Sequence, residues 1–281
     1  MPARRFQLVD VFHSDPLSGN PLAVVFDGDD LSTEQMLRIT RWLNLSEATF
    51  VLPPTSSGAD YRLRIFTLDR ELPFAGHPTL GTCHAWLAAG GKPRGEEAIV
   101  QECGAGLVPI RQRDGRLAFA APPILRGGAV EPEKLDEIAS VLRIERSAIV
   151  DSQWVDNGPG WVAVLLESAA AVLRVEPARA HSGRLDIGIV GAYPRGEPVA
   201  FELRAIFSDH HRALMEDPVT GSLNASVAQW LLATGRATAP YVAAQGARVG
   251  RAGRIYIDRD ARGAVWVGGN ATTLFSGSCT A

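Results

Sequence analysis

The sequence has 281 residues, 46% hydrophobic and 21% charged, a composition that is typical of globular proteins and long enough for two domains of ordinary size. The net charge of −3 and the pI near 6.1 argue against a nucleic acid as the main partner. Three cysteines without metal-ligand spacing indicate the reduced thiols of a cytosolic protein, and with neither a signal peptide nor a long apolar stretch we expect no membrane partner.

The first half of the chain mixes short strands with two helices. Ser32 and Gln35 form a capping box, which predicts a helix that ends near Asn44. Pro78 predicts the start of a second helix, because proline lacks the N–H that would have no partner there. This helix is apolar on every face up to Gly90, so we expect it to be buried. Apolar and β-branched runs predict strands at residues 9–12, 22–26, 49–52, 62–67, 99–102, 107–111 and 117–120.

Prolines and glycines cluster at residues 121–128, which predicts a linker between two halves. We therefore predict an N-terminal α+β domain at residues 1–124 and a C-terminal α+β domain at residues 125–281, with the option that the last strand packs on the first domain. In the second half we predict helices at residues 133–142 and 169–175, a buried helix after Pro218, and strands at residues 161–166, 187–190, 201–207, 255–257 and 264–267.

The two halves share motifs at a nearly constant spacing. His77-Pro78 and Asp217-Pro218 each precede an apolar helix, and a strand and a turn upstream also match. The offsets are 140, 141 and 138 residues (217 − 77, 207 − 66, 159 − 21). Three matches at one offset indicate an internal duplication, in which the second buried helix looks about one turn longer.

Each buried helix brings its N-terminus into the interior, with unpaired N–H groups and the positive end of the helix dipole. Such an end attracts an anion, for example a ligand carboxylate. We therefore expect the backbone near Thr79, Gly221 and Ser222 to hold a carboxylate, and His77 and Asp217 to contact the rest of the ligand. The alternative for His77 and for Asp217, each taken singly, is a helix-capping residue.

Glu47 is the candidate general base. It lies in the predicted connector between the first helix and the next strand, where a carboxylate has no evident capping role. The alternative is a solvated surface glutamate. The duplication gives Asp186 as its counterpart (186 − 47 = 139), which we treat as a second, weaker candidate.

Other chemistries find little support in the sequence. A Gly-x-Ser-x-Gly nucleophile elbow is absent. The spacings of His77 with His84 and of His210 with His211 do not match a zinc site, so we predict no metal. Residues 246–254 are rich in glycine and arginine but lack a phosphate-binding pattern, and they predict a hairpin turn with solvated arginines.

Several motifs, in order along nearly the whole chain, resemble the phenazine-biosynthesis isomerase (PhzF-like) family. They are Asp10-Val11-Phe12, Gly19-Asn20-Pro21, Asn44-Leu45-Ser46-Glu47-Ala48-Thr49-Phe50, Phe74-Ala75-Gly76-His77-Pro78-Thr79, Asp156-Asn157-Gly158-Pro159, Glu216-Asp217-Pro218-Val219-Thr220-Gly221-Ser222 and Val267-Gly268-Gly269. The resemblance implies the diaminopimelate-epimerase fold: two similar α+β domains, each a curved, mostly antiparallel sheet around a central helix, with the active site between them. It also implies a homodimer and a reaction without a cofactor.

By this resemblance Glu47 is the acid/base that moves a proton between carbons of the substrate, and His77, Asp217 and Ser222 orient that substrate. We assign Gly76, Thr79 and Gly221, at the helix starts, to the same substrate-binding set. The epimerase relatives use two cysteines, one from each domain. The corresponding places here, Ala75 and residues 217–219, carry no thiol, which disfavours a two-thiol racemase.

The function we predict is a cofactor-independent isomerase that acts on a small carboxylate in the cytoplasm. One alternative is an amino-acid epimerase or dehydratase on the same fold, which works with one base and water. The other is a binding or scaffold protein that kept the fold without turnover. The intact set of Glu47, His77 and Asp217 argues against loss of activity.

Overall fold

The computed structural model describes residues 2–209 and 211–280. Contacts divide the chain into two compact units, the first made of residues 1–120 and 268–281 and the second of residues 121–267. The boundary predicted after residue 124 lies close to the first change of unit, and as a boundary between domains it stays a prediction. None of the described helices is long and apolar enough to cross a membrane.

Among the described residues, strands outnumber helices, and most strands are short. In chain order the elements are β1 (Ala3–Val11), β2 (Asn20–Val25), α1 (Thr33–Leu43), β3 (Glu47–Leu52), β4 (Tyr61–Thr67), β5 (Glu71–Leu72), α2 (Gly76–Ala88), β6 (Ile99–Cys103), β7 (Gly106–Arg113), β8 (Arg116–Ala120), β9 (Arg126–Gly128), α3 (Pro132–Leu142), β10 (Asp151–Asp156), β11 (Val162–Leu165), α4 (Ala169–Arg174), β12 (Asp186–Ala192), β13 (Phe201–Ser208), β14 (Leu214–Asp217), α5 (Gly221–Ala233), β15 (Tyr241–Gln245), β16 (Gly253–Arg259), β17 (Val265–Gly269) and β18 (Ala271–Thr280).

The first unit is a mixed sheet with helix α1 on one face and helix α2 on the other. Strand β2 pairs antiparallel with β1 and parallel with β3, and β4 pairs antiparallel with β3 and β5 and parallel with β6. Strands β6, β7 and β8 continue as an antiparallel meander, while β18 pairs with β1. Alternate residues of β2 face opposite sides: Ala23 packs in the core with Met36 of α1, whereas Leu22 lies against Gly81 of α2.

The second unit repeats this order and these directions. Strand β11 pairs antiparallel with β10 and parallel with β12, and β13 pairs antiparallel with β12 and β14 and parallel with β15. Strand β16 then pairs antiparallel with β15. Helix α4 follows β11 as α1 follows β2, and α5 follows β14 as α2 follows β5. The repeated topology agrees with the predicted internal duplication.

Helices α2 and α5 are both buried over most of their length, as their apolar sequences predicted. Each has 13 residues, so the prediction that the second is about one turn longer is wrong. The reason is that the two prolines lie differently. Pro78 is inside the first turn of α2, which begins at Gly76, whereas Pro218 precedes α5, which begins at Gly221.

The predicted helices all form, and the capping box of Ser32 and Gln35 is present, with Asn44 as the left-handed C-cap. The sequence analysis did not predict β5, β9, β10, β14, β15 and β18. Residues 126–128 of the predicted linker form β9, because β10 provides a pairing partner for a stretch that has no strand propensity of its own. Helix α3 has Glu131 at its N-cap and starts with Pro132, one residue before the predicted start.

Candidate active site

Helix α2 begins at Gly76, with the extended residue Ala75 at its N-cap. The first intrahelical hydrogen bond runs from Thr79 N to Ala75 O over 3.1 Å, so the N–H groups of Gly76 and His77 lie ahead of it. The hydroxyl of Thr79 accepts a hydrogen bond from Gln101 Nε2 (3.1 Å). The Thr79 N–H is thus used within the helix, and the carboxylate contact expected near Thr79 stays a prediction, now for the N–H groups of Gly76 and His77.

His77 lies in the first turn of α2 and is only 3% exposed. Burial lowers the pKa of His77 from 6.5 to about 3, so its imidazole is neutral near pH 7. Its Nε2 lies 3.6 Å from Glu47 Oε2, and its Nδ1 lies 3.4 Å from Asn20 Nδ2. The first distance would suit an ion pair, but the ring is uncharged, and we treat the contact as one between a neutral imidazole and a carboxylate. The capping interpretation of His77 is wrong, since Ala75 holds the N-cap position.

Glu47 is the first residue of β3 and lies opposite Thr67 of β4. The sequence predicted a connector here; pairing with β4 starts the strand at residue 47 instead of 49. The Glu47 side chain is 16% exposed, so it is shielded from most of the solvent and still reachable. Helix α2 is tied to this strand, because Thr82 donates a hydrogen bond to Thr49 Oγ1 over 2.9 Å. A rigid strand therefore holds the carboxylate beside the start of a buried helix.

Helix α5 begins at Gly221, with Thr220 at its N-cap. Asp217 ends β14, ahead of that position, so the capping interpretation of Asp217 is wrong. The Thr220 hydroxyl donates a hydrogen bond to Asp217 Oδ2 over 2.5 Å. The N–H groups of Gly221 and Ser222 precede the first intrahelical hydrogen bond, from Asn224 N to Thr220 O (3.1 Å). They are placed to donate to an anion.

Ser222 is tied to the loop that precedes β11. Its hydroxyl accepts a hydrogen bond from Trp161 Nε1 (3.1 Å), and its carbonyl accepts one from Asn157 Nδ2 (2.9 Å). Both donors come from the segment around the Asn157-Gly158-Pro159 motif. The motif therefore supports the first turn of α5.

Gln245, at the end of β15, organises the segment between β14 and α5, and the sequence analysis missed it. Its Nε2 donates to Asp217 O (3.1 Å) and to Thr220 Oγ1 (2.9 Å). Its Oε1 accepts from Thr220 N (3.1 Å) and from Asn224 Nδ2 (2.8 Å). Gln245 is 1% exposed, so its hydrogen bonds are shielded from water. The only signal in the sequence is a polar residue after the apolar run at residues 241–244.

Asp186 occupies the place in the second unit that Glu47 occupies in the first. It begins β12 and lies opposite Phe207 of β13, as Glu47 begins β3 and lies opposite β4. Its side chain is 9% exposed and accepts a hydrogen bond from Arg184 Nε over 3.1 Å. It lines a cavity of about 270 Å³ with Arg126 and Lys134. Because an arginine already engages its carboxylate, Asp186 stays the weaker base candidate.

The cysteines of the chain are free thiols, and the described residues contain no cluster of metal-ligating side chains. The three cysteines carry free thiols, and burial raises the pKa of the Cys83 thiol in α2 to about 12. Within residues 2–209 and 211–280, no three His, Cys, Asp or Glu side chains cluster as metal ligands do. His210 of the predicted His210-His211 pair lies outside the described residues.

The candidate residues thus form two groups, each described within its own unit. In the first unit Glu47 and His77 come together at the start of α2, with Gly76 and Thr79 in the same turn. In the second unit Asp217, Gly221 and Ser222 come together at the start of α5, with Gln245 behind them. Sequence reasoning found the members of both groups except for Asn20 and Gln245.

Comparison with known proteins places these groups in context. A family model described as "Phenazine biosynthesis-like protein" matches residues 9–277. The trans-2,3-dihydro-3-hydroxyanthranilate isomerase of Pseudomonas aeruginosa is 35% identical over 97% of this chain and 98% of its own. Antisense-enhancing sequence 1 of Schizosaccharomyces pombe is 33% identical over 99% of both chains. The structure of a predicted epimerase from Pseudomonas aeruginosa matches with a TM-score of 0.82 at 26% identity, over 99% of both chains. The predicted fold class is confirmed.

Proposed function

The chain belongs to the family of phenazine biosynthesis-like proteins, and from this membership we propose that it moves a proton within a small carboxylate substrate, with Glu47 as the only acid/base. That the chain is an isomerase of this family is confirmed by the named isomerases among its relatives. The observation that carries the proposal is the partly exposed Glu47 carboxylate beside the buried, neutral His77. Trans-2,3-dihydro-3-hydroxyanthranilate, the substrate in the name of several relatives, is the first compound to test.

In the proposed reaction, the Glu47 carboxylate removes a proton from one carbon of the substrate. The electron pair of that C–H bond shifts into the substrate, the double bond moves, and the resulting Glu47 carboxylic acid returns the proton to a second carbon. Atoms and electrons balance without an oxidant or a second base. Only the chain's own groups are used, so the proposed reaction proceeds without a cofactor.

Substrate binding is proposed for the residues at the two helix starts. In α2 these are Gly76 and His77, and in α5 they are Gly221 and Ser222, together with Asp217. The N–H groups ahead of the first intrahelical bond and the positive end of each dipole favour a negatively charged ligand. A cytoplasmic location and a homodimer stay predictions.

The test is solvent-deuterium exchange. Wild-type protein, Glu47→Gln and Glu34→Gln are incubated in deuterated water with trans-2,3-dihydro-3-hydroxyanthranilate and a panel of small carboxylates. Deuterium uptake is then measured by mass spectrometry. Glu47→Gln keeps the shape but removes the proton acceptor, and we expect its rate to fall about 10²–10⁴-fold. Glu34 is exposed on α1, so Glu34→Gln is the control and keeps the wild-type rate.

The same assay separates the alternatives. Deuterium at an unchanged carbon skeleton with inverted configuration would indicate an epimerase, and binding without any exchange would indicate a binding protein. Wild-type exchange by Glu47→Gln would overturn the role of Glu47 and make Asp186 the next residue to test.

A further inference from the structure

Asn20 is a buried polar residue that the proposed reaction does not use. It begins β2, is 0% exposed and follows Gly19. A Cβ at Gly19 would lie 2.2 Å from Val11 O and 2.6 Å from Asp10 Oδ1, so only glycine fits there. Gly19 N donates to Asp10 Oδ1 over 2.9 Å, which fixes the turn. The Gly19-Asn20-Pro21 motif therefore delivers the Asn20 side chain into the interior in one position.

The Asn20 amide meets His77 at a defined atom, with 3.4 Å between Asn20 Nδ2 and His77 Nδ1. An amide nitrogen carries two hydrogens and accepts none, so Asn20 is the donor and Nδ1 is the acceptor. A neutral imidazole carries one hydrogen, which must then lie on Nε2. His77 is neutral at pH 7 because burial lowers its pKa to about 3.

The other ring nitrogen faces Glu47. His77 Nε2 lies 3.6 Å from Glu47 Oε2, and within the described part of the chain it makes no hydrogen bond. We propose that Asn20 is a positioning residue that holds His77 in the tautomer with hydrogen on Nε2, so that an N–H and not a lone pair faces the Glu47 carboxylate. The opposite tautomer would place a lone pair against a carboxylate oxygen, which is repulsive.

This arrangement has a chemical consequence at Glu47. Two atoms 3.6 Å apart can both lie within about 2.8 Å of one polar substrate atom. The Nε2–H would donate to that atom while the carboxylate acts on the neighbouring C–H. This consequence rests on the proposed function, whereas the tautomer itself does not.

The tautomer is read directly from the imidazole ¹⁵N signals of protein labelled at histidine. The signals of His77 are identified by their absence from the spectrum of His77→Gln. In the wild type we expect Nδ1 to give the signal of a bare ring nitrogen and Nε2 that of a protonated one. In Asn20→Asp the carboxylate can only accept, so Nδ1 gains a hydrogen and its signal moves to the protonated position. Asn44→Asp adds the same charge at the exposed C-cap of α1 and leaves both signals in place.

A wild-type spectrum with hydrogen on Nδ1, or an unchanged Nδ1 signal in a folded Asn20→Asp protein, would overturn the proposal. The wild-type spectrum decides the tautomer even if Asn20→Asp does not fold. Deuterium exchange measured on the same proteins adds the link to activity: we expect Asn20→Asp to be slower by about 10–100-fold. If the signals move as expected but no substrate is turned over by the wild type, the proposed function fails and the tautomer assignment stands.

Discussion

The ionisable residues of the candidate site differ in how burial acts on them. His77 is enclosed in the first turn of α2, and burial keeps its ring uncharged despite the carboxylate nearby. Glu47 remains partly exposed, and Asp217 accepts a hydrogen bond from Thr220. His77 therefore contributes a polar but neutral group to the site.

The neutrality of His77 predicts a pH dependence of stability. Its pKa is about 3 in the folded chain and 6.5 in the unfolded one, so below pH 6.5 the unfolded chain binds a proton that the folded chain does not. Stability must then fall as the pH falls from about 6.5 towards 3, by about 2 kcal/mol at pH 5. Urea unfolding of wild type and His77→Gln at pH 7.5 and pH 5 measures this. The wild type should lose about 2 kcal/mol more than the variant, and equal losses would contradict the prediction.

Asp217→Asn keeps the shape and an acceptor for the Thr220 hydroxyl but removes the charge. Because we assign Asp217 to binding and Glu47 to proton transfer, we expect a raised KM with much of kcat retained. Steady-state kinetics of deuterium exchange, compared with Glu47→Gln, measures the split. A loss confined to kcat would instead place Asp217 in the chemical step.

At the scale of elements, local sequence signals located most of the structure. The capping box of α1 and the apolar faces of α2 and α5 are set by residues close together in the sequence. The sequence alone therefore predicted them. Strands such as β9 and β18 consist largely of arginine, glycine, serine and threonine, and form because a partner strand lies beside them. Likewise Glu47 was placed in a connector, because the pairing that extends β3 is a long-range contact.

The segment between β14 and α5 depends on one side chain. Gln245→Met has a similar volume but leaves the buried Thr220 N–H without its acceptor and removes the hydrogen bond to the Asp217 carbonyl. Each unsatisfied buried group costs about 1–3 kcal/mol, and we expect a total loss of about 2–4 kcal/mol together with a raised KM. Urea unfolding and exchange kinetics measure the two effects.

Gln229→Met is the matched control for Gln245→Met. Gln229 lies in α5 and donates one hydrogen bond, to Pro122 O over 3.2 Å. Its replacement should cost about 1 kcal/mol and leave KM unchanged. If both variants lost the same stability with the same KM, Gln245 would have no special role at Asp217.

At the scale of the whole molecule, the two units repeat an ion pair as well as a topology. Arg64 and Glu71 join β4 to β5 through Nε–Oε1 and Nη2–Oε2 contacts of 2.7 and 2.6 Å. Arg204 and Glu216 join β13 to β14 through the same atoms at 3.1 and 2.7 Å. The sequence analysis did not predict this correspondence: Arg204 follows Arg64 by 140 residues (204 − 64), but Glu216 follows Glu71 by 145 (216 − 71). Nor does an offset predict the difference in burial, which depends on what packs over each pair.

The two pairs should therefore contribute differently to stability. Arg64 and Glu71 are 18% and 39% exposed, so water can solvate Glu71 when Arg64 is replaced. We expect Arg64→Met to cost about 0–1 kcal/mol. Arg204 and Glu216 are 3% and 10% exposed, and Arg204 also donates to the carbonyls of Val172 and Val175. Arg204→Met leaves a buried carboxylate unpaired and should cost about 3–5 kcal/mol in urea unfolding.

A double variant shows whether the cost of Arg204→Met comes from the unpaired charge. In Arg204→Met combined with Glu216→Leu, both charges are replaced by apolar side chains of similar length, so we expect most of the lost stability to return. The corresponding change of Arg64 and Glu71 should stay within about 1 kcal/mol of the wild type. Equal losses from Arg64→Met and Arg204→Met would contradict the assignment of the difference to burial. A double variant as unstable as Arg204→Met would instead trace the cost to the lost bonds with the carbonyls of Val172 and Val175.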